Sequence, residues 1–189
     1  MKKILFFICL LGAVVTAQAQ LKFGAKVGLN ISNVTGDIED TKSKVGPLFG
    51  VFAFYSVSDK LAIQPELLYS MQGCKVDAYT GDGYETEEVK LHLDYLLVPI
   101  MVKFYPITGL SLQAGPQFGF LTRAKFDDED LKDDVKKFDF ALNLGAGYEL
   151  ENGLGIDLRY GFGLTDANKE DEMGEAKNGV FSIALSYRF

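Results

Sequence analysis

Apolar and polar residues alternate along most of this chain with a period of two, the spacing that places successive side chains on opposite faces of a β-strand. The clearest run is FDFALNLGAGYEL at residues 138–150, in which every second residue from Phe138 onward is apolar. An Asn-Gly pair, typical of hairpin turns, follows it, and residues 154–164 and 181–189 repeat the alternation. The pattern predicts three successive antiparallel strands.

Five earlier stretches also predict strands, three of them by clear alternation. They are residues 21–33, 46–57, 61–73, 95–104 and 110–122. Residues 46–57 are apolar on both faces, whereas Lys103 identifies the polar face of 95–104 and leaves the other face apolar. The total is eight strands.

The connections between these strands alternate in length. Short turns are expected near 58–59, 105–109 and 151–153, and long polar segments at about 34–45, 74–88, 123–136 and 166–177. Short turns at one end and long loops at the other are typical of outer-membrane barrels. The predicted fold is all-β, an eight-stranded antiparallel up-and-down transmembrane β-barrel.

A soluble barrel such as a lipocalin shows the same alternation. The volume of the side chains must therefore decide whether the apolar face points into the barrel or out of it. Each strand carries about five or six large apolar side chains on one face, and the interior of an eight-stranded barrel is only just wide enough for side chains to fill. The opposite faces carry Gly, Ser, Ala, Gln and a few charges. The apolar face is therefore expected to contact lipid.

Strand parity directs nine charged side chains toward the barrel interior. They are Lys22, Lys26, Glu66, Lys103, Asp139, Glu149, Asp157, Arg159 and Arg188. Because an isolated buried charge is costly, these groups are expected to pair or to be hydrated. We interpret them as a pairing network that plugs the lumen; the competing interpretation is a narrow pore.

The first residues have the features of a secretory signal peptide. Two lysines precede an apolar run at residues 4–15, and Ala17-Gln18-Ala19 supplies the small-x-small pattern that signal peptidase recognises. The run is shorter than the roughly 20 residues that a transmembrane helix needs. We predict a signal peptide at 1–19 and an outer-membrane barrel domain at 20–189.

Charge and cysteine content exclude several kinds of site. The four long segments carry 19 acidic and 9 basic residues, and an acidic surface argues against nucleic-acid binding. The spacing after Asp166 resembles a calcium loop, but Asp171 stands where that loop requires glycine. With Cys9 in the leader, Cys74 has no partner for an intrachain disulfide. We expect no metal site and no cofactor.

Four stretches resemble a known family. They are KVGLNISN (26–33), AIQPELLYSMQG (62–73), YLLVPIMVKFYP (95–106) and LQAGPQFGFL (112–121). They are similar to the PorT-like outer-membrane β-barrel family common in Bacteroidota. The resemblance implies an eight-stranded barrel in the outer membrane, in contact with outer-membrane lipid and lipopolysaccharide. One relative is associated with type IX secretion, but most members have no assigned activity, so that role does not carry over to this chain. An envelope or secretion protein remains a candidate partner, and the family has no catalytic motif.

An enzymatic role depends on the single histidine. Some small outer-membrane barrels modify lipid A with a His, Ser and carboxylate constellation. His92 shares parity with Leu96, which places it on the outward side near the loop rim, and no serine is placed to meet it. We therefore predict a non-enzymatic barrel.

The stretch SIALSYRF at 182–189 continues the alternation and places aromatic residues on the lipid-facing row. Tyr187 and Phe189 resemble the terminal aromatic signal by which the barrel-assembly machinery recognises its clients. The predicted eighth strand must also pair with the first, because a closed barrel leaves no open edge in the membrane.

Overall fold

The computed structural model describes residues 21–36, 41–80, 85–126, 129–130, 136–165 and 176–189. The predicted signal peptide and parts of all four predicted long loops lie outside these residues. Ten strands are present in the described residues: β1 Leu21–Gly36, β2 Thr41–Ser58, β3 Leu61–Gln72, β4 Cys74–Thr80, β5 Glu85–Ile107, β6 Leu110–Phe126, β7 Glu129–Asp130, β8 Phe138–Glu149, β9 Leu154–Gly163 and β10 Ala176–Arg188. The described residues contain no helix long and apolar enough to cross a membrane.

Eight of these strands form a closed antiparallel barrel. Around the ring they follow the order β1, β2, β3, β5, β6, β8, β9 and β10. The ring closes where β10 pairs with β1, from Gly24 opposite Arg188 to Gly36 opposite Ala176. The predicted eight-stranded up-and-down barrel is confirmed, and its two terminal strands leave no open edge.

The large apolar side chains lie on the outside of this barrel. Alternate residues of each strand are exposed, such as Val27 and Leu29 on β1 and Ile156 and Leu158 on β9. A continuous apolar outer surface is the arrangement that a bilayer stabilises. This agrees with the face assigned from the side-chain volumes.

Strand β2, which is apolar on both faces, has three large side chains in the lumen. Leu48, Phe52 and Phe54 of β2 are buried inside the barrel. Space for Phe52 comes from its register partner Gly24, because a Cβ at Gly24 would collide with the Phe52 ring. The interior is therefore less polar than the sequence suggests.

At the loop end the strands extend further than predicted. β4 and the first residues of β5 lie in the predicted loop 74–88, where Lys75–Thr80 pair with Glu85–Lys90. An antiparallel ladder satisfies backbone hydrogen bonds whatever the polarity of the side chains, so the polar composition of this segment does not prevent strand pairing. Gly73 joins β3 to β4 with a φ of 127°, a conformation that favours glycine.

Candidate functional site

Five charged side chains meet near the middle of the barrel lumen. Lys26 comes from β1, Glu66 from β3, Lys103 from β5, and Asp157 and Arg159 from β9. Each projects inward because it occupies the inward parity of its strand, and all five are buried. We call these five residues the lumen cluster.

The strongest contact of the lumen cluster is a two-pronged ion pair across the barrel. Arg159 donates from Nη1 to Glu66 Oε2 at 2.8 Å and from Nη2 to Glu66 Oε1 at 2.7 Å. β3 and β9 are four positions apart in the ring of eight strands, so they lie on opposite sides. The fork geometry of a guanidinium matches a carboxylate, and such paired bonds are among the stronger hydrogen bonds in proteins.

Two lysines complete the charge pairing. Lys26 Nζ lies 3.0 Å from Glu66 Oε1 and 2.9 Å from Asp157 Oδ2, so it bridges the two carboxylates. Lys103 Nζ lies 3.4 Å from Asp157 Oδ1. The lumen cluster thus contains three cations and two anions, held in one continuous set of contacts.

Two glutamines outside the predicted charge network join the lumen cluster. Gln113 Oε1 accepts bonds from Arg159 Nε at 3.0 Å and Nη2 at 2.8 Å, and its Nε2 donates to Asp157. Gln64 Nε2 donates to Glu66 Oε1 at 2.6 Å. Both glutamines occupy inward positions in the alternation, which is the signal that identifies them, whereas the predicted network contains only charged residues.

The other inward charges lie outside the lumen cluster. Arg188 pairs with Glu149 nearer the turn end. Asp139 lies nearer the loop end, where it accepts a hydrogen bond from Thr165 Oγ1 at 3.1 Å. Lys22 is exposed at the turn end, where the barrel opens to water. The structure therefore divides the nine predicted residues into a central cluster, two peripheral sites and one exposed lysine.

Little free space remains beside the lumen cluster. A cavity of about 30 Å³ lies between Lys26, Asp157 and Arg159 and the polar side chains of Asn30 and Asn143. This volume is enough for about two water molecules. The described lumen is therefore filled by side chains at this level.

His92 lies at the loop end and is half-buried. Its Nδ1 is 2.8 Å from Lys44 Nζ, and the same ammonium donates to the carbonyl oxygens of Gln72 and Leu91, at 3.1 Å each. Lys44 as a contact of the histidine was not foreseen from the sequence. Because an ammonium is only a donor, His92 Nδ1 acts as the acceptor in this contact.

Cys74 is the free cysteine of the described residues, and it is buried at the start of β4, beyond the membrane-spanning part of β3. Burial raises the pKa of the Cys74 thiol, an effect that the nearby Lys44 ammonium partly offsets. Among the described residues, no group of three or more His, Cys, Asp or Glu is placed to hold a metal ion.

Tyr187 and Phe189 lie on the outer face at the turn end. Their side chains are exposed, and their ring centroids are 5.6 Å apart. The backbone nitrogen of Phe189 donates to Phe23 O at 2.8 Å, which continues the pairing between β10 and β1. The aromatic pair thus borders the seam where the barrel closes.

Comparison with known proteins agrees with this architecture. Residues 16–168 match the family described as "Outer membrane protein beta-barrel domain". The crystal structure of Neisserial surface protein A is similar, with a TM-score of 0.60 and 13% identity over 88% of this chain and 97% of that one. Ail, the attachment invasion locus protein of Yersinia pestis, has a TM-score of 0.51 and 16% identity over 90% of this chain and 99% of that one. No curated protein matches the chain.

Proposed function

The chain belongs to the outer membrane protein β-barrel domain family and is a protein of the outer membrane, and we propose that it is a plugged, non-enzymatic barrel that acts through its acidic extracellular loops. In this proposal the barrel anchors the loops in outer-membrane lipid and lipopolysaccharide, and the loops are a structural or binding surface.

The observation that carries the proposal is the lumen cluster. Its bridge from Glu66 to Arg159 joins opposite walls of the barrel, and the cavity beside it has a volume of only about 30 Å³. An ion passing this level would have to displace a buried, paired charge, and uncompensated buried charge is strongly unfavourable. These contacts favour a closed lumen over the narrow channel that is the second candidate.

Conductance in planar bilayers tests the plug. The wild-type protein is expected to show no conductance steps, whereas a variant carrying Lys26→Ala, Glu66→Ala and Arg159→Ala is expected to show them, because it removes the side chains that fill the lumen. The control is Glu149→Ala with Arg188→Ala, which removes a pair nearer the turn end and should remain silent. Steps from the folded wild-type protein would refute the plug.

The acidic composition of the long loops supports a binding role outside the cell. The four predicted long segments together carry a net charge of −10, which favours partners with a basic surface. The finer resemblance to PorT-like barrels makes a component of a secretion machine one candidate partner. A photo-crosslinker placed within residues 123–136 in intact cells is expected to capture a discrete partner, whereas one at Thr108, in a short turn, is not; equal capture at both positions would contradict the loop assignment.

A lipid A-modifying activity is the least supported alternative. His92 Nδ1 accepts from the Lys44 ammonium, and this contact occupies the lone pair that a general base at that nitrogen would use. Replacing His92 with Asn should leave the host's lipid A unchanged. A change in lipid A that tracks the variant would overturn the non-enzymatic assignment.

We also propose that Tyr187 and Phe189 are read by the barrel-assembly machinery during insertion. Their exposed rings beside the closing seam support this role, because the seam is where β10 must join β1.

A further inference from the structure

A two-stranded hairpin continues the barrel wall at the loop end, the end that faces outside the cell in outer-membrane barrels. β4 pairs with residues 85–90 at the start of β5, and we call β4 together with these residues the loop-end hairpin. β5 runs without a break from Glu85 to Ile107, and the start of β4 also pairs with residues 41–43 of β2. Both strands of the hairpin are therefore anchored in the barrel wall.

One edge of the loop-end hairpin has no partner strand among the described residues. The ladder between β5 and β6 begins at Leu91, which is opposite Phe126. Phe126 also pairs with Glu129 of β7, and because a strand has only two edges, β7 lies on the side of β6 away from β5. Residues 85–90 therefore have alternate backbone N–H and C=O groups on an edge that neither β6 nor β7 pairs with.

The sequence of this edge is compatible with strand pairing along its whole length. Residues 85–90 read ETEEVK, with no proline and no glycine, and no bulge interrupts their pairing with β4. Prolines and bulges are common devices by which proteins protect a strand edge. Six residues span about 20 Å, the length of a typical strand. An added strand would extend the sheet on the side of β5 that β6 occupies further down.

The charge of this edge determines which strand it can accept. Three of its six residues are glutamates, at positions 85, 87 and 88, and one is Lys90. Like charges in neighbouring strands are destabilising, whereas opposite charges are stabilising. The edge therefore disfavours pairing with a second copy of itself and favours an extended segment that contains Lys or Arg.

From these observations we propose that residues 85–90 bind an extended basic segment of a partner protein by β-strand addition. The backbone of that segment forms a ladder with the free edge of β5, and its Lys or Arg residues are attracted by the acidic sequence. Backbone hydrogen bonds supply the affinity in such complexes, and the side chains supply the specificity. The anchored hairpin limits the conformational entropy lost on binding. This inference rests on the proposed role of the loops as a binding surface, and it specifies one site within them.

A peptide of about eight residues, with Lys and Thr in alternation, is long enough to cover the edge and serves as the probe. With the protein in phosphatidylcholine nanodiscs, fluorescence anisotropy of the labelled peptide is expected to show saturable binding beyond that of empty nanodiscs. Hydrogen exchange measured by mass spectrometry should show that residues 85–90 gain protection when the peptide is bound, because their free N–H groups then donate to the peptide.

A second peptide separates strand addition from simple charge attraction. The same peptide N-methylated at every residue keeps its charge but cannot donate backbone hydrogen bonds, and it should bind at least about tenfold more weakly. Equal binding of the two peptides would overturn the proposal, because charge alone would then account for the affinity.

Variants of the protein test the position of the site. Glu87→Gln with Glu88→Gln is expected to weaken binding by about two- to tenfold and to reduce its salt dependence. The matched control, Glu170→Gln with Glu172→Gln, removes the same charge from another predicted loop and should bind like the wild type. Each variant is first shown to be folded by its heat-dependent shift on mild detergent gels. Wild-type affinity in the first variant, or an equal loss in the control, would refute the assignment to this edge.

Hydrogen exchange of the peptide-free protein identifies other occupants of the edge. Protection of residues 85–90 that increases with protein concentration would show that a second copy covers them, and protection at every concentration would show that another segment of this chain does. Either result would overturn the proposal, as would a lack of peptide binding up to about 1 mM. Capture of a partner through residues 123–136 would still support the loop function in those cases, so the two failures are distinguishable.

Discussion

Replacing Glu66 with Gln tests how strongly the lumen cluster stabilises the barrel. The substitution keeps the shape of the side chain but removes the charge that Arg159 and Lys26 share. Three buried cations then face Asp157 alone. Breaking a buried ion pair from one side typically costs about 3–5 kcal/mol in the free energy of unfolding, which corresponds to a change in the unfolding equilibrium between about a hundredfold and several thousandfold.

The control is the same substitution at the peripheral pair. The side chains of Arg188 and Glu149 are 19% and 17% exposed, whereas those of Arg159 and Glu66 are 7% and 0% exposed. A pair with partial access to water contributes little, so Glu149→Gln is expected to cost about 1 kcal/mol or less. The contrast between the two variants isolates the effect of burial.

Urea unfolding from lipid vesicles is the appropriate assay. The chain contains 9 tyrosines and no tryptophan, so tyrosine fluorescence and circular dichroism report the transition. Adding Arg159→Met to Glu66→Gln should restore at least half of the lost stability, because the uncompensated guanidinium is removed. The ionic account of the lumen is refuted if Glu66→Gln lowers the free energy of unfolding no more than Glu149→Gln does. It is also refuted if adding Arg159→Met restores none of the lost free energy of unfolding.

Three further predictions concern other parts of the barrel. Gly24→Val should destabilise the barrel by about 1–3 kcal/mol in urea unfolding, because its side chain overlaps the Phe52 ring; Phe52→Ala in the same chain should recover part of the loss, and full stability of the single variant would contradict the packing. Cys74 should react with maleimide slowly in the folded barrel and rapidly after heat unfolding, because burial raises the pKa of the thiol and shields it; equal rates would show that it is accessible. Phe189→Asp should lower the amount of assembled barrel in the outer membrane, whereas Phe189→Tyr should not; undiminished assembly of the Asp variant would remove its role in insertion.

Period-two alternation together with side-chain volume predicts the eight barrel strands and their lipid-facing side, because a shift of one residue would reverse every side chain. It did not show which inward residues meet. Lys22 and Lys26 have the same parity, yet only Lys26 reaches the lumen cluster and Lys22 is exposed at the turn end. Parity gives the face of a side chain, whereas contact also depends on its height in the barrel, which the register between strands determines.

Two other features depend on information that the sequence pattern lacks. The sequence pattern alone does not explain how β2 fits apolar side chains into the lumen. The register explains it, because it places Gly24 opposite Phe52. β5 begins at Glu85, ten residues earlier than its apolar alternation suggests, because hydrophobicity marks where a strand contacts lipid and does not mark where its backbone pairing begins.

The position of the lumen cluster has a consequence for how the barrel folds. Glu66 and Arg159 are separated by 93 residues along the chain, and Lys26 on β1 contacts Asp157 near the other end of the sequence. A partly assembled sheet cannot bring these charges together, since strands from both halves of the chain must already be in place. Until then each charge must remain hydrated. The lumen cluster therefore stabilises only the closed ring. Assembly becomes more nearly all-or-none, a form of cooperativity that local strand pairing alone does not supply.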